Sequence, residues 1–101
     1  MIHVIASIEV RAERLDDFSQ LFKRLIPEVR SEEGCLEYQP TVDLDTGLAA
    51  QELNPRVVTV IERWQSLEHL RTHLAAPHME AFRKQVSAIV TKLSLKVLDK
   101  V

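Results

Sequence analysis

Cysteine occurs once in this chain of 101 residues, at position 35. No internal disulfide can form, so the fold has to hold by packing alone, which fits a reducing, cytoplasmic setting. Glycine is nearly as scarce: Gly34 and Gly47 are the only two, and they cannot build a glycine-rich phosphate cradle. No apolar run has the length needed to cross a bilayer, so no membrane association is expected. The opening MIHVIASIEV alternates apolar with polar residues where a secretory signal would carry a basic segment and a solid apolar block. Excess charge is absent as well. The formal net charge is −2 and no basic run interleaves with aromatics, which argues against nucleic acid as a partner. What is present, 46% hydrophobic and 28% charged residues, is the balance of one globular domain spanning residues 1–101.

Periodicity divides the chain into elements. Ile2, Val4, Ala6, Ile8 and Val10 alternate with His3, Ile5, Ser7 and Glu9, the pattern of a strand. From Leu15 the period lengthens, and Leu15, Phe18, Phe22, Leu25 and Val29 share one face of a long amphipathic helix. Pro27 should bend or shorten that helix, and Gly34 marks a stop. Residues 35–43 read as a strand that Pro40 confines to an edge or a bulge. Turn residues at Asp45, Thr46, Gly47 and Asn54-Pro55 make 44–55 an irregular connection with room for further strand. RVVTVIERW, 56–64, is the best strand candidate. Ser66 suits the cap of a short helix through 75, and Pro77 the first turn of another. In that second helix Met79, Phe82, Val86, Ile89 and Val90 repeat at helical spacing, before a closing strand over 93–101.

The order strand, helix, strand, strand, helix, strand predicts an α+β, ferredoxin-like βαββαβ domain: a four-stranded antiparallel sheet with helices on one face. Ile5, with Val58 and Val60 or their alternating neighbours, leaves the opposite face partly apolar. A two-fold homodimer that covers it with a second sheet, or exchanges edge strands, is the expected solution.

Three histidines and the only tryptophan crowd into residues 61–82. His73 and His78 fall at the margins of their apolar stripes. Each is either a group that exchanges protons near neutral pH or a boundary histidine bonding the backbone around Pro77. His69 and His73 share a helical face at a spacing that could hold a metal, but no carboxylate or cysteine at fitting spacing completes a ligand set, so no metal is expected. Trp64 offers an indole N–H and an apolar ring, for substrate or for the core. Glu62 points to the same side as Trp64 and away from Arg63, so it is solvated, paired across a dimer, or in a pocket; a structural pair is favoured. Tyr38 in the second strand and Phe82 on the last helical stripe complete the candidate substrate contacts. Cys35 reads as a small apolar residue, and Arg83 and Lys84 as a solvated helix face from which one of them could reach an anionic substrate.

MIHVIASIEV, EEGCLEY (32–38) and VIERWQSLEHLRTHLAAPHMEAF (60–82) together resemble the antibiotic biosynthesis monooxygenase family. PTVD (40–43), LNP (53–55) and the HLxxHLxxPHM pattern over 69–79 resemble its quinol-oxidising branch. The resemblance implies a dimeric α/β barrel that oxidises a quinol or related hydroxyaromatic with molecular oxygen and needs no cofactor. His73 or His78 would take the proton, and Trp64 would line the pocket. In the haem-degrading branch the residues that matter would fall at Ser7, His73 and Arg83, and all three depart from it. An isomerase of a small phosphorylated dicarbonyl, carrying a similar histidine pair, and a non-catalytic dimeric ligand-binding or stress protein are the alternatives on the same scaffold.

Overall fold

A computed structural model describes all residues, 1–101. The elements are β1 (Ile2–Val10), α1 (Leu15–Arg30), β2 (Cys35–Val42), β3 (Val57–Trp64), α2 (Leu67–Leu74), α3 (Pro77–Gln85) and β4 (Val90–Leu98). The four strands form one sheet in the order β2-β3-β1-β4, with every neighbouring pair antiparallel, which is the ferredoxin-like arrangement.

The helices lie on one face. Val4, Ala6, Ile8 and Val10 of β1 and Val58, Val60 and Trp64 of β3 are buried beneath them, together with Phe18, Phe22, Leu25, Ile26 and Val29 of α1. Burying one such side chain is worth about 1.5–3 kcal/mol, so the alternation of β1 and the stripe of α1 lock each other's register. Val58 and Val60 thus lie under the helices. Register places their neighbours Thr59 and Ile61 opposite Ser7 and Ile5, on the open face of the sheet.

Three details differ from the sequence expectation. Pro27 does not shorten α1, which continues to Arg30. The proline sits in the last turn on the exposed side, where its missing N–H costs one bond to a carbonyl that water reaches, and its own carbonyl accepts from Ser31. Ile89 and Val90 are not helical: α3 stops at Gln85, a turn is closed by Ile89 N–H to the Val86 carbonyl, and β4 begins at Val90, opposite Val10. The strand is displaced three residues toward the N-terminus from the expected 93–101. The connection between β2 and β3 contains no strand; it is tied to itself through Gln51, which accepts from Thr46, and Asp43, which accepts from Asn54 N–H. Pro40 does sit on an edge strand, and β2 carries a register shift between Cys35 and Glu37.

Candidate functional site

The break at Pro77 creates the site. Positions 73 and 78 of a continuous helix would point about 140° apart, given 100° per residue. Here α2 ends at Leu74, Ala76 adopts an extended conformation, and α3 restarts with Pro77 in its first turn. The redirected chain brings both rings onto one carboxylate oxygen: His73 Nδ1 lies 2.8 Å, and His78 Nε2 2.9 Å, from Glu32 Oε2. Arg83 ties the two helices together by donating to the Leu74 carbonyl at the C-terminal end of α2, where a cation is favoured.

Glu32 reaches the histidines because α2 approaches the turn after α1 very closely. Ser66 caps α2 by accepting from His69 N–H, and its hydroxyl also pairs with His69 Nδ1 at 2.6 Å. The His69 ring then lies against Gly34, where an added Cβ would stand 2.3 Å from ring carbons. Gly34 also has φ +82°, a left-handed conformation that side chains disfavour. One turn further along α2, His73 meets Glu32. His69 and His73 therefore engage different partners and do not converge on a common point.

Between the helices and the sheet lies a cavity of about 300 Å³, at the low end for small-molecule sites. Phe18, Phe22, Phe82, Leu74, Met79 and Val86 supply much of its apolar wall, and Leu93 and Leu95 of β4 flank it. The aromatic rings form a connected chain: Phe22 to Phe82 at 5.5 Å, Phe22 to Tyr38 at 6.0 Å and Tyr38 to His73 at 5.7 Å between centroids. Its polar lining includes His73, Glu62, Tyr38 and Arg83.

Glu62 is 4% exposed, and its Oε1 accepts from Trp64 Nε1 at 2.9 Å. Burial pushes its carboxyl up to about 7; the indole bond opposes this, and the Glu32 charge adds to it. Burial lowers the pKa of His73 despite the Glu32 hydrogen bond, so the ring is held neutral. Burial, helped by Glu62 and Glu32, raises the Tyr38 phenol well above its ordinary range and keeps it a neutral donor. No buried polar side-chain atom in the protein lacks a partner, yet the Tyr38 hydroxyl, the second Glu62 oxygen and His73 Nε2 make no bond within the chain. Those three atoms therefore keep accessible surface, and all three residues line the cavity.

The structure thus gathers His73, Tyr38, Glu62 and Phe82 around one cavity. It separates the other two candidates from it. Trp64 is fully buried outside the lining, and its N–H donates to Glu62. His78 does not line the cavity either; it flanks an outer cleft with Glu33, Glu68 and His69. Arg83 is exposed, as expected, and also lines the cavity, whereas Lys84 pairs with the exposed Glu80. Burial raises the Cys35 thiol, which leaves it unactivated. Glu32 escaped sequence reasoning: two adjacent glutamates follow the helix, and only geometry separates Glu32 from Glu33, whose side chain is almost fully exposed. The available signal was Gly34 beside them, a glycine placed where a helix ends.

The family profile described as antibiotic biosynthesis monooxygenase matches residues 1–85. The chain is 36% identical over 101 residues to the Escherichia coli strain K12 protein named "Probable quinol monooxygenase YgiN", covering 98% of this chain and 97% of that one. Among solved structures it is similar to a conserved protein from Methanosarcina mazei Go1, at 27% identity and TM-score 0.84, over 99% of this chain and 92% of the other. Rv0793 from Mycobacterium tuberculosis is 25% identical with TM-score 0.81, over 99% and 94% of the two chains.

Proposed function

The chain belongs to the antibiotic biosynthesis monooxygenase family, and from that premise we propose that it oxidises a quinol or related hydroxyaromatic with molecular oxygen, without a cofactor. The observation that carries this reading is the cavity itself: an apolar, ring-lined wall that ends at a neutral imidazole with accessible surface. A deprotonated hydroxyaromatic is electron-rich enough to reduce oxygen directly. The protein then has to bind the ring, take one proton and hold the developing anion.

The residues divide these tasks. A carboxylate accepts hydrogen bonds, so the His73 nitrogen facing Glu32 carries the proton and Nε2 presents its lone pair. His73 Nε2 takes the substrate's hydroxyl proton, and the bonding pair stays on the substrate oxygen. Protonated Glu62 and the Tyr38 hydroxyl donate to that oxygen as negative charge develops. Oxygen then accepts electrons from the ring. One of its atoms becomes a ring carbonyl and the other leaves as water with two hydrogens of the substrate, so the substrate supplies every electron. Trp64 acts one layer back, holding Glu62.

The isomerase alternative needs an anion site, and Arg83 is the only basic residue besides His73 on the cavity wall. A non-catalytic ligand-binding or stress protein would be favoured by a pocket closed by large side chains; this cavity is open. A homodimer belongs to the same proposal, supported by Leu93, Leu95 and Val97 on edge strand β4, which are 41–56% exposed. No helix is long and apolar enough to cross a membrane.

The test is oxygen uptake by metal-stripped, flavin-free protein with naphthohydroquinones and catechols. The expected result is uptake above the autoxidation blank that falls about 100-fold or more in His73→Ala, the range a general base supplies. No excess uptake by correctly folded wild type would refute the reading.

A further inference from the structure

Proton transfer to a histidine requires the correct nitrogen to be bare, and an isolated neutral imidazole does not choose it. Three observations on Glu32 bear on that choice. Its carboxylate oxygen lies 2.8 Å from His73 Nδ1, while the other ring nitrogen, Nε2, has no partner within the chain and the residue lines the cavity. The same oxygen lies 2.9 Å from His78 Nε2, so the carboxylate is gripped from a second helix. Its side chain is only 12% exposed, whereas His78 is 26% exposed and His73 2%, so the three groups run from the cavity to the outer cleft.

We propose that Glu32 is the positioning residue of this site, holding His73 in the Nδ1–H tautomer with its Nε2 lone pair available to substrate, and that His78 anchors the carboxylate in that place. This deepens the monooxygenase reading and rests on it for the identity of the base. The division of labour follows from geometry. Both rings donate to one oxygen, and a carboxylate has lone pairs enough for two such bonds. When Nε2 gains the substrate's proton, the imidazolium already faces the carboxylate that offsets its charge, and no group has to move. His78 is excluded as the base because its Nε2 points at Glu32 and its ring lies outside the cavity wall. A partner that fixes the tautomer and orientation of a working histidine is the general second-layer device of such sites.

The test reads the tautomer directly, from nitrogen chemical shifts of histidine-labelled protein at neutral pH. In the wild type His73 should show a protonated Nδ1 and a bare Nε2; the opposite tautomer would overturn the proposal without any variant being made. Glu32→Gln, whose amide can donate as well as accept, should mix the tautomers and lower kcat about 10- to 100-fold, while KM stays within about threefold. Glu32→Asp should recover part of the rate, and His78→Gln should cost less than Glu32→Gln. A Glu32→Gln protein that keeps both the wild-type tautomer and the wild-type rate would also overturn it. The two readings fail separately. A wild type that consumes no oxygen refutes the monooxygenase assignment, while the tautomer and its response to Glu32→Gln still decide the role of Glu32.

Discussion

Glu62→Gln should make the protein more stable at alkaline pH while leaving it almost unchanged in acid. In the folded chain the Glu62 carboxyl is raised from 4.5 to about 7, chiefly by burial. The folded state therefore holds the proton more tightly than the unfolded state. Stability from Glu62 is fully present below about pH 4.5 and is lost as pH rises through about 7. At 1.36 kcal/mol for each pH unit between those values, the loss amounts to about 3 kcal/mol. Little discount for solvent applies, because the residue is almost wholly buried. Glutamine does not ionise, and its carbonyl can still accept from Trp64 Nε1. The assay is denaturant unfolding of both proteins at pH 4 and pH 8, at one fixed protein concentration because association would shift apparent stability. Other titrating groups are common to both proteins and largely cancel in the difference. The variant's advantage should be about 2–3 kcal/mol larger at pH 8 than at pH 4. A difference between the two proteins that does not change with pH would refute the reasoning. The outcome also bears on function, since a carboxyl poised near neutrality is costly to keep and useful to a site that must hold an anion.

Three further outcomes follow from the same geometry. The pH profile of kcat/KM should be bell-shaped: its acid limb lies below 6.5, because burial, with the His78 and Arg83 charges, outweighs the upward pull of Glu32 on His73, and its alkaline limb lies near 7, where Glu62 ionises. In Glu62→Gln the alkaline limb should vanish; a limb that persists assigns it to another group. Trp64→Phe removes the only hydrogen bond that holds the Glu62 pKa down, so the alkaline limb should move above 7 and stability should drop by about 1–3 kcal/mol, measured by the same titration and by urea unfolding. Gly34→Ala should cost about 2–4 kcal/mol in urea unfolding, since it combines a positive φ with a methyl driven into the His69 ring, and a cost under about 0.5 kcal/mol would show that α2 shifts freely.

Most of the scaffold could be read from the residues, because β1, α1 and β3 each carry one unambiguous period. The helix break was equally plain at Ser66 and Pro77, whose backbone preferences are local. The start of β4 was not, because Val86, Ile89 and Val90 fit a helical stripe as well as a buried turn leading into a strand; pairing with Val10, some eighty residues away, decides between them. Within the site, His73 was visible by type and position. The direction of its ring was not, nor was the choice of Glu32 over Glu33, since both depend on how closely α2 packs on Gly34. Trp64 shows the same limit: strand alternation placed it on the side of Glu62, and only packing revealed that the two bond each other.

Helix α1 also works as a counting device. Glu32 stands two residues past Arg30, where the helix ends, so its position around the helix axis is fixed by the number of residues between it and the buried stripe of Phe18, Phe22 and Val29. One residue gained or lost in between would swing it by about 100° and move it about 1.5 Å along the axis, off both histidines at once. The connection from Asp43 to Arg56, at the far end of β2, keeps no such count: it is exposed and bonded mainly to itself. Length changes in related chains should therefore collect in that connection and be absent from the segment between Phe18 and Gly34, where a single extra residue would turn Glu32, and with it part of the buried stripe, away from its partners.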